Sequence, residues 1–387
     1  MAKRRRQQGQ GKGASRRKTR REFLRMAGQA ALGLALGATA PAVLAKAGRA
    51  SQAVAAGGPT IIVQSPRQIV VSTWGGLTEE GLRKIVTPAF ERKYRATVTY
   101  DIGGAAARYN KLRAQAANPQ INIIFNVEDI LVDAAERGLL AKFDPRNVPN
   151  IKDVYPWATP ASLQGHGAAY SVLAYGLMVA RGRSSLPVTS WHDLWRPEFR
   201  GRLAIASPLH SQTPQLLIVA SELFGGSQTN VAPGLAALGE LRPIRQSIFW
   251  TDYAAFVKSG DVIISTEFDY YVLFMQKEGY DVSWVLPLEK AFGSLQYAAI
   301  VKGAPNQELA EGYLNTLLDP EIQSRMAREI FNPPTNRLVK LDPPLSEQVV
   351  YGPRLQAVRW FDAKFINANR ARWLERINTE VVPKWRV

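Results

Sequence analysis

The stretch Ile69-Val70-Val71-Ser72-Thr73-Trp74-Gly75-Gly76 constrains this chain more than any other. Ile69 to Val71 are β-branched and uninterrupted, as expected of a strand buried on both faces. The two glycines then permit a sharp turn that leaves the backbone open to a ligand. Beyond them, Leu82, Ile85, Val86, Ala89 and Phe90 recur at the spacing of one helical face. Strand, open turn and helix begin an α/β unit, and such units bind ligands beyond the carboxyl ends of their strands. Trp74 and Gly75 stand at that point.

A chain of 387 residues exceeds one ordinary core, and its length predicts two or three units. The formal charge of +17 suggests nucleic acid until it is located. Residues 1–50 carry 13 Lys/Arg and one acid, Glu22, or +12, which leaves +5 for the other 337 residues. The excess belongs to the leader, and no nucleic-acid partner is expected. With no cysteine, disulfides, thiol catalysis and Cys-ligated metals are excluded. The three histidines, His166, His192 and His210, are scattered, and no zinc-protease, P-loop or nucleophile-elbow motif occurs. A scattered histidine is expected to be a structural hydrogen-bonding residue.

The leader has a basic region, then Arg20-Arg21-Glu22-Phe23-Leu24, then an Ala/Gly-rich run to Ala45. It resembles a twin-arginine (Tat) signal peptide, covering 1–47 with an Ala45–Ala47 cleavage pattern and followed by a flexible linker over 48–65. Gly28, Gly33, Gly37 and Pro41 make the run a poor membrane span. The resemblance implies export by the Tat translocase to the periplasm.

Strands are predicted at Thr97–Tyr100 and Ile121–Phe125, each followed by a helix, so a right-handed mainly parallel sheet is expected. Asp101 and Glu128 fall just past the strand ends, where acids also stabilise a helix dipole without any ligand. Glu136-Arg137-Gly138-Leu139-Leu140, the segment Thr189-Ser190-Trp191-His192-Asp193-Leu194-Trp195-Arg196-Pro197-Glu198-Phe199-Arg200-Gly201 and Asn315-Thr316-Leu317-Leu318-Asp319-Pro320-Glu321 complete a pattern. Together with Thr73-Trp74-Gly75-Gly76 they resemble the periplasmic solute-binding proteins of ABC importers, in the branch that includes spermidine/putrescine-binding proteins. The resemblance implies a two-lobed α/β fold of the periplasmic-binding-protein type II class. Lobe 1 would comprise 66–172 and 290–387, lobe 2 would comprise 173–289, and the run from His166 to Arg181 would cross between them.

In lobe 2, Phe249–Tyr253 and Gly260–Ser265 are expected to be strands whose tips carry Trp250, Asp252, Glu267, Asp269 and Tyr270. A helix opened by Pro214 is expected to be capped by Ser211 or Thr213, although its free N–H groups equally suit a ligand carboxylate or phosphate. The cleft would then be walled by Trp74, Trp250 and Tyr270, with Asp101, Glu128, Asp252, Glu267 and Asp269 as candidate anions. Carboxylates and aromatic rings together lower the cost of desolvating an amine. The expected ligand is therefore a small organic amine, polyamine-like or amino-acid-like, handed by a monomeric receptor to a membrane permease and its ATPase. No cofactor is expected. The alternative within the class is ferric iron on Glu128, Tyr270 and Tyr271, since phenolates and carboxylates are hard donors. The alternative outside it is an exported enzyme on the same fold.

Overall fold

The computed structural model describes residues 67–184, 186–247 and 250–385. The leader and linker lie outside them, as does the side chain of Trp250.

The first strand, β1 (Gln68–Thr73), pairs in parallel with β2 (Thr97–Ile102) on one side and β3 (Ile123–Asn126) on the other. Gly76 adopts φ +68°, the left-handed value that the Trp-Gly-Gly turn needs from its second glycine. The helix that follows runs from Leu77–Gly81 through a π-turn at Leu82–Val86 into Thr87–Tyr94. Leu82, Ile85, Val86 and Phe90 are buried, as their spacing predicts. After the helices Ala105–Ala114 and Glu128–Glu136 come the short β4 (Leu140–Ala141) and then β5 (Gly167–Ala180), 14 residues that are all buried.

A second parallel group follows: β6 (Leu203–Ala206) lies between β7 (Arg245–Ser247) and β8 (Ile264–Phe268). β9 (Val282–Val285) and β10 (Ala291–Val301) return the chain, and β11 (Val358–Arg359) adds a short edge. The strands join in the order β2-β1-β3-β10-β5-β8-β6-β7, so the two parallel groups are the halves of one mixed sheet rather than separate sheets. The antiparallel pair β5–β10 runs between them, from Phe292 opposite Tyr175 to Ala299 opposite Gly167. Gly176 lets β9 approach: a Cβ there would stand 2.8 Å from the Val285 carbonyl and from the Trp284 ring.

Two expectations change. The segment read as a strand at Phe249–Tyr253 gives way to the helix Trp250–Ser259, because Tyr253, Ala254 and Val257 supply a helical apolar face. Towards the C-terminus the helices Gln307–Leu317 and Pro320–Ile330 follow, with Asp319 Oδ1 accepting from Glu321 N at 2.9 Å ahead of the N1 proline. The helix Ala363–Arg376, assigned by sequence to lobe 1, packs on Glu128–Glu136 of lobe 1 and on Thr213–Leu223 of lobe 2. Trp385 Nε1 then donates to the Leu238 carbonyl of lobe 2 at 2.8 Å. No helix among the described residues is long and apolar enough to cross a membrane.

Candidate ligand cleft

The carboxyl ends of both parallel groups open on one cleft. From lobe 1 come Trp74 after β1, Gly104 and Ala105 after β2, and Val127 after β3. From lobe 2 come Leu209, His210 and Ser211 after β6, and Phe268 and Tyr271 around the end of β8. The crossing strands supply the floor with Leu173, Ser294 and Gln296. The free volume is about 60 Å³, so a guest of more than a few heavy atoms requires the lobes or lining side chains to part and re-close around it.

Apolar walls with a few fixed polar groups are the usual make-up of a small-molecule site. Tyr170 donates to Gln296 Oε1 at 2.8 Å, and Gln212 Nε2 donates to Ser294 Oγ at 3.0 Å. Burial, and secondarily the charge of Arg370, pulls the His210 pKa down to about 4. His210 is therefore neutral, and its Nδ1 accepts from Gln212 N at 3.2 Å. That tautomer leaves Nε2 as a hydrogen-bond donor. Arg370 also binds the lobes together: its Nε donates to Asp129 Oδ2 of lobe 1 at 2.6 Å and its Nη2 to the Ser211 carbonyl of lobe 2 at 3.1 Å.

Of the residues expected in the site, Trp74 lines the cleft. Gly75 stands in the turn behind it, and Tyr271, named for the iron alternative, is a wall. The expected anions are elsewhere. Asp101 lies on the edge strand, accepting from Ser72 Oγ at 2.8 Å and paired with Lys111. Glu128 accepts from Ser162 Oγ at 2.5 Å and from the Tyr297 hydroxyl at 3.1 Å, and burial raises its pKa. Glu267 is 3 % exposed, accepts from Phe268 N at 2.8 Å, and is pushed by burial to about 8. Asp269 receives Ala174 N at 3.0 Å and Val350 N at 3.3 Å, and burial raises it to about 6. Asp252 stands in the first turn of its helix. The physical reason is common: an acid past a strand end can turn to a neighbouring backbone N–H or the next helix start as readily as to the cleft. Tyr270 is buried away from the lining, its hydroxyl 3.3 Å from Thr78 Oγ1 of the other lobe.

The same contacts argue against iron. Of the three residues named for iron only Tyr271 lines the cleft: both Glu128 oxygens are engaged by Ser162 and Tyr297, and the Tyr270 hydroxyl turns to Thr78. Among the described residues no group of three or more His, Cys, Asp or Glu can hold a metal ion.

The residue that sequence reasoning missed is Arg108, which lies 2 % exposed on the helix Ala105–Ala114. Its guanidinium stacks on Trp74, 4.6 Å from the ring centroid. Nε donates to the Gly103 carbonyl at 2.8 Å and Nη1 to the carbonyls of Ser72 (3.2 Å) and Phe125, so one side chain ties the ends of β1, β2 and β3. Among the described residues Nη2 has no hydrogen-bond partner and no carboxylate is within ion-pair distance, although the charge of Asp101 partly offsets the group. Burial lowers its pKa to about 9, which still leaves it charged at neutral pH. Its sequence signal was an arginine placed between Ala105 and Leu112 on an otherwise apolar helix face.

Comparison with known proteins agrees with this architecture. Residues 118–369 match the family model described as bacterial extracellular solute-binding protein. The chain is 24% identical over 317 residues to a gamma-aminobutyric acid-binding protein of Pseudomonas aeruginosa, covering 77% of this chain and 86% of that one. It is 25% identical over 177 residues to the spermidine/putrescine-binding periplasmic protein of Escherichia coli, covering 44% of this chain and 50% of that one. The crystal structure of an ABC transporter protein from Clostridium perfringens superposes with a TM-score of 0.66 at 26% identity, covering 81% of this chain and 99% of that one. The chain belongs to the bacterial extracellular solute-binding proteins, with the two-lobed periplasmic-binding-protein fold.

Proposed function

We propose that this protein is the receptor of an ABC importer that captures a small organic amine in the cleft and presents it to a membrane permease. The observation that carries the reading is the lining: Trp74 from lobe 1 faces Phe268 and Tyr271 from lobe 2 over a polar floor of Ser294 and Gln296. A methylene chain gains from aromatic walls on both sides, and a cationic amine gains further from their π-faces. Relatives named for gamma-aminobutyrate and for spermidine and putrescine support the amine class.

No bond is made or broken in this reading. The ligand acts by its differential affinity for the closed arrangement, which alone offers the permease both lobes as one surface. The periplasm is the site of action, reached through the Tat pathway, and the receptor works as a monomer. Lobe 2 is 173–289, and the helix Ala363–Arg376 spans the two lobes rather than belonging to one.

Isothermal calorimetry of the mature protein with 4-aminobutyrate and with 1,4-diaminobutane tests the reading. Saturable binding of either at one site per chain, with the compound recovered unchanged, is the expected result. Absence of heat with both and with 2-aminoethylphosphonate, or conversion of any of the three, overturns it.

A further inference from the structure

We infer that Arg370 is a positioning residue of the cleft: it clasps lobe 1 to the lobe 2 loop that carries Leu209, His210 and Ser211, and release of this clasp opens the cleft to a solute. The inference rests on the receptor reading above and names what controls access to that same cleft.

The geometry puts one guanidinium against both lips. Arg370 Nε and Nη2 stand 2.6 Å and 2.5 Å from Asp129 Oδ2, and the same Nη2 donates to the Ser211 carbonyl at 3.1 Å. Asp129 lies two residues past the lining residue Val127, in the first turn of the helix Glu128–Glu136, and Ser211 is itself in the lining. The expectation that Ser211 or Thr213 caps the helix Thr213–Leu223 fails here. That helix has no side-chain cap, the Thr213 hydroxyl donates to the Ser207 carbonyl at 2.8 Å, and Ser211 belongs to the cleft and to Arg370 instead. A hydrogen bond is lost beyond about 3.5 Å, so lobes that part by about 1 Å at this edge cannot both keep hold of Nη2.

The helix that carries Arg370 is fixed at its far end to lobe 2. Ala363–Arg376 continues through the π-turn Ile377–Val381 into Val382–Trp385, and both pack on the helix Ala232–Leu241, where Trp385 Nε1 donates to the Leu238 carbonyl. Arg370 therefore reaches from a lobe 2 anchor across to Asp129, as a strap does. Burial first, and then the charge of Arg370, keeps His210 neutral, so the clasp also fixes the donor that this loop offers the cleft.

The energetics make the clasp easy to interrogate. The side chains of Asp129 and Arg370 are 4% and 16% exposed, and a buried charge that loses its partner is costly. Opening returns both groups to water. Removing one partner therefore penalises the closed arrangement and not the open one, while removing both penalises neither. An ion pair that served only the stability of one lobe would leave the lobe-to-lobe distance unchanged.

The test is that distance. The chain has no cysteine, so Arg92→Cys in lobe 1 and Glu240→Cys in lobe 2, both exposed and on helices, supply two unique spin-label sites. Pulsed electron paramagnetic resonance of the mature protein then reads the lobe separation, alone and with 4-aminobutyrate, 2-aminoethylphosphonate or 1,4-diaminobutane at saturation. Asp129→Asn and Arg370→Gln should each raise the open-to-closed ratio at least about tenfold, and the double variant should stay within about threefold of the parent. Arg370→Lys, which keeps the charge and gives up the second arm, should fall between. Gly176→Ala, a destabilising change inside lobe 2, should not move the distribution. Any solute that binds should leave Asp129→Asn about tenfold faster than the parent. Distributions that ignore Asp129→Asn and Arg370→Gln overturn the inference, as does a parent protein that is open in every condition. If those two variants fail to fold, a parent-like distribution in Arg370→Lys overturns it. Failure of all three solutes to bind counts against the receptor reading alone, because the distances measured without solute still decide the role of Arg370.

Discussion

Glu267 gives the sharpest check on the claim that the expected site anions are structural. The residue is buried at the end of β8, accepts one hydrogen bond from the next backbone N–H, and holds its proton to about pH 8 against an ordinary 4.5. The cause is desolvation of the charged form. The folded chain therefore binds this proton more tightly than the unfolded chain, so stability falls as pH rises from the unfolded value through the folded one. Linkage puts the loss at about 1 kcal/mol by pH 5, about 3 kcal/mol by pH 7 and about 5 kcal/mol by pH 9, relative to strongly acid solution. Glu267→Gln keeps the acceptor and supplies a permanent N–H donor, so it mimics the protonated acid and carries no such term. Urea denaturation of both proteins should then show the variant gaining about 4 kcal/mol on the wild type between pH 5 and pH 9. Ligand affinity should stay within about twofold at pH 7, because the residue does not line the cleft. A constant stability difference across that range, or a large loss of affinity, refutes the reasoning.

Other consequences are simpler. Trp74→Ala removes a cleft wall whose other neighbour is the Arg108 guanidinium, and calorimetry should show affinity lower by at least about tenfold, about 1.4 kcal/mol. Asp129→Asn leaves the largely buried Arg370 without its partner, and denaturation should report a loss of about 3 kcal/mol. Gly176→Ala forces a methyl against the Val285 carbonyl and the Trp284 ring, and should cost about 2 kcal/mol in the same assay. Tyr270→Phe removes the hydroxyl facing Thr78, and should cost about 1 kcal/mol while leaving the visible spectrum of the purified protein unchanged.

The local rules of the chain were readable where one segment determines its own geometry. Ile69 to Gly76 encodes a strand and a left-handed glycine, so Trp74 could be placed at a strand end and in the cleft from sequence. The alternation of strand and helix likewise predicted the parallel groups, and the family resemblance implied that the run after His166 crosses between lobes. What could not be read is the direction in which a polar side chain turns once two segments meet. Glu267 and Asp269 follow one strand end, yet they face backbone N–H groups while Phe268 and Tyr271 face the guest. Ser294 and Gln296 reach the floor only because β10 runs beside β5. Arg108 shares a helix face with Ala105 and Leu112, but its role needs the three carbonyls of Ser72, Gly103 and Phe125 that only the folded chain brings together. The aromatic run at Trp250 has strand-like composition, and only the helical placement of Tyr253, Ala254 and Val257 decides against it.

The most direct measurement is a crystal structure of the mature protein grown with saturating 4-aminobutyrate or 2-aminoethylphosphonate. The account predicts the solute between Trp74, Phe268 and Tyr271, over the floor of Ser294 and Gln296. A cleft closed by the protein's own side chains under those conditions, or a solute seated against Glu267 and Asp269 instead, would contradict it.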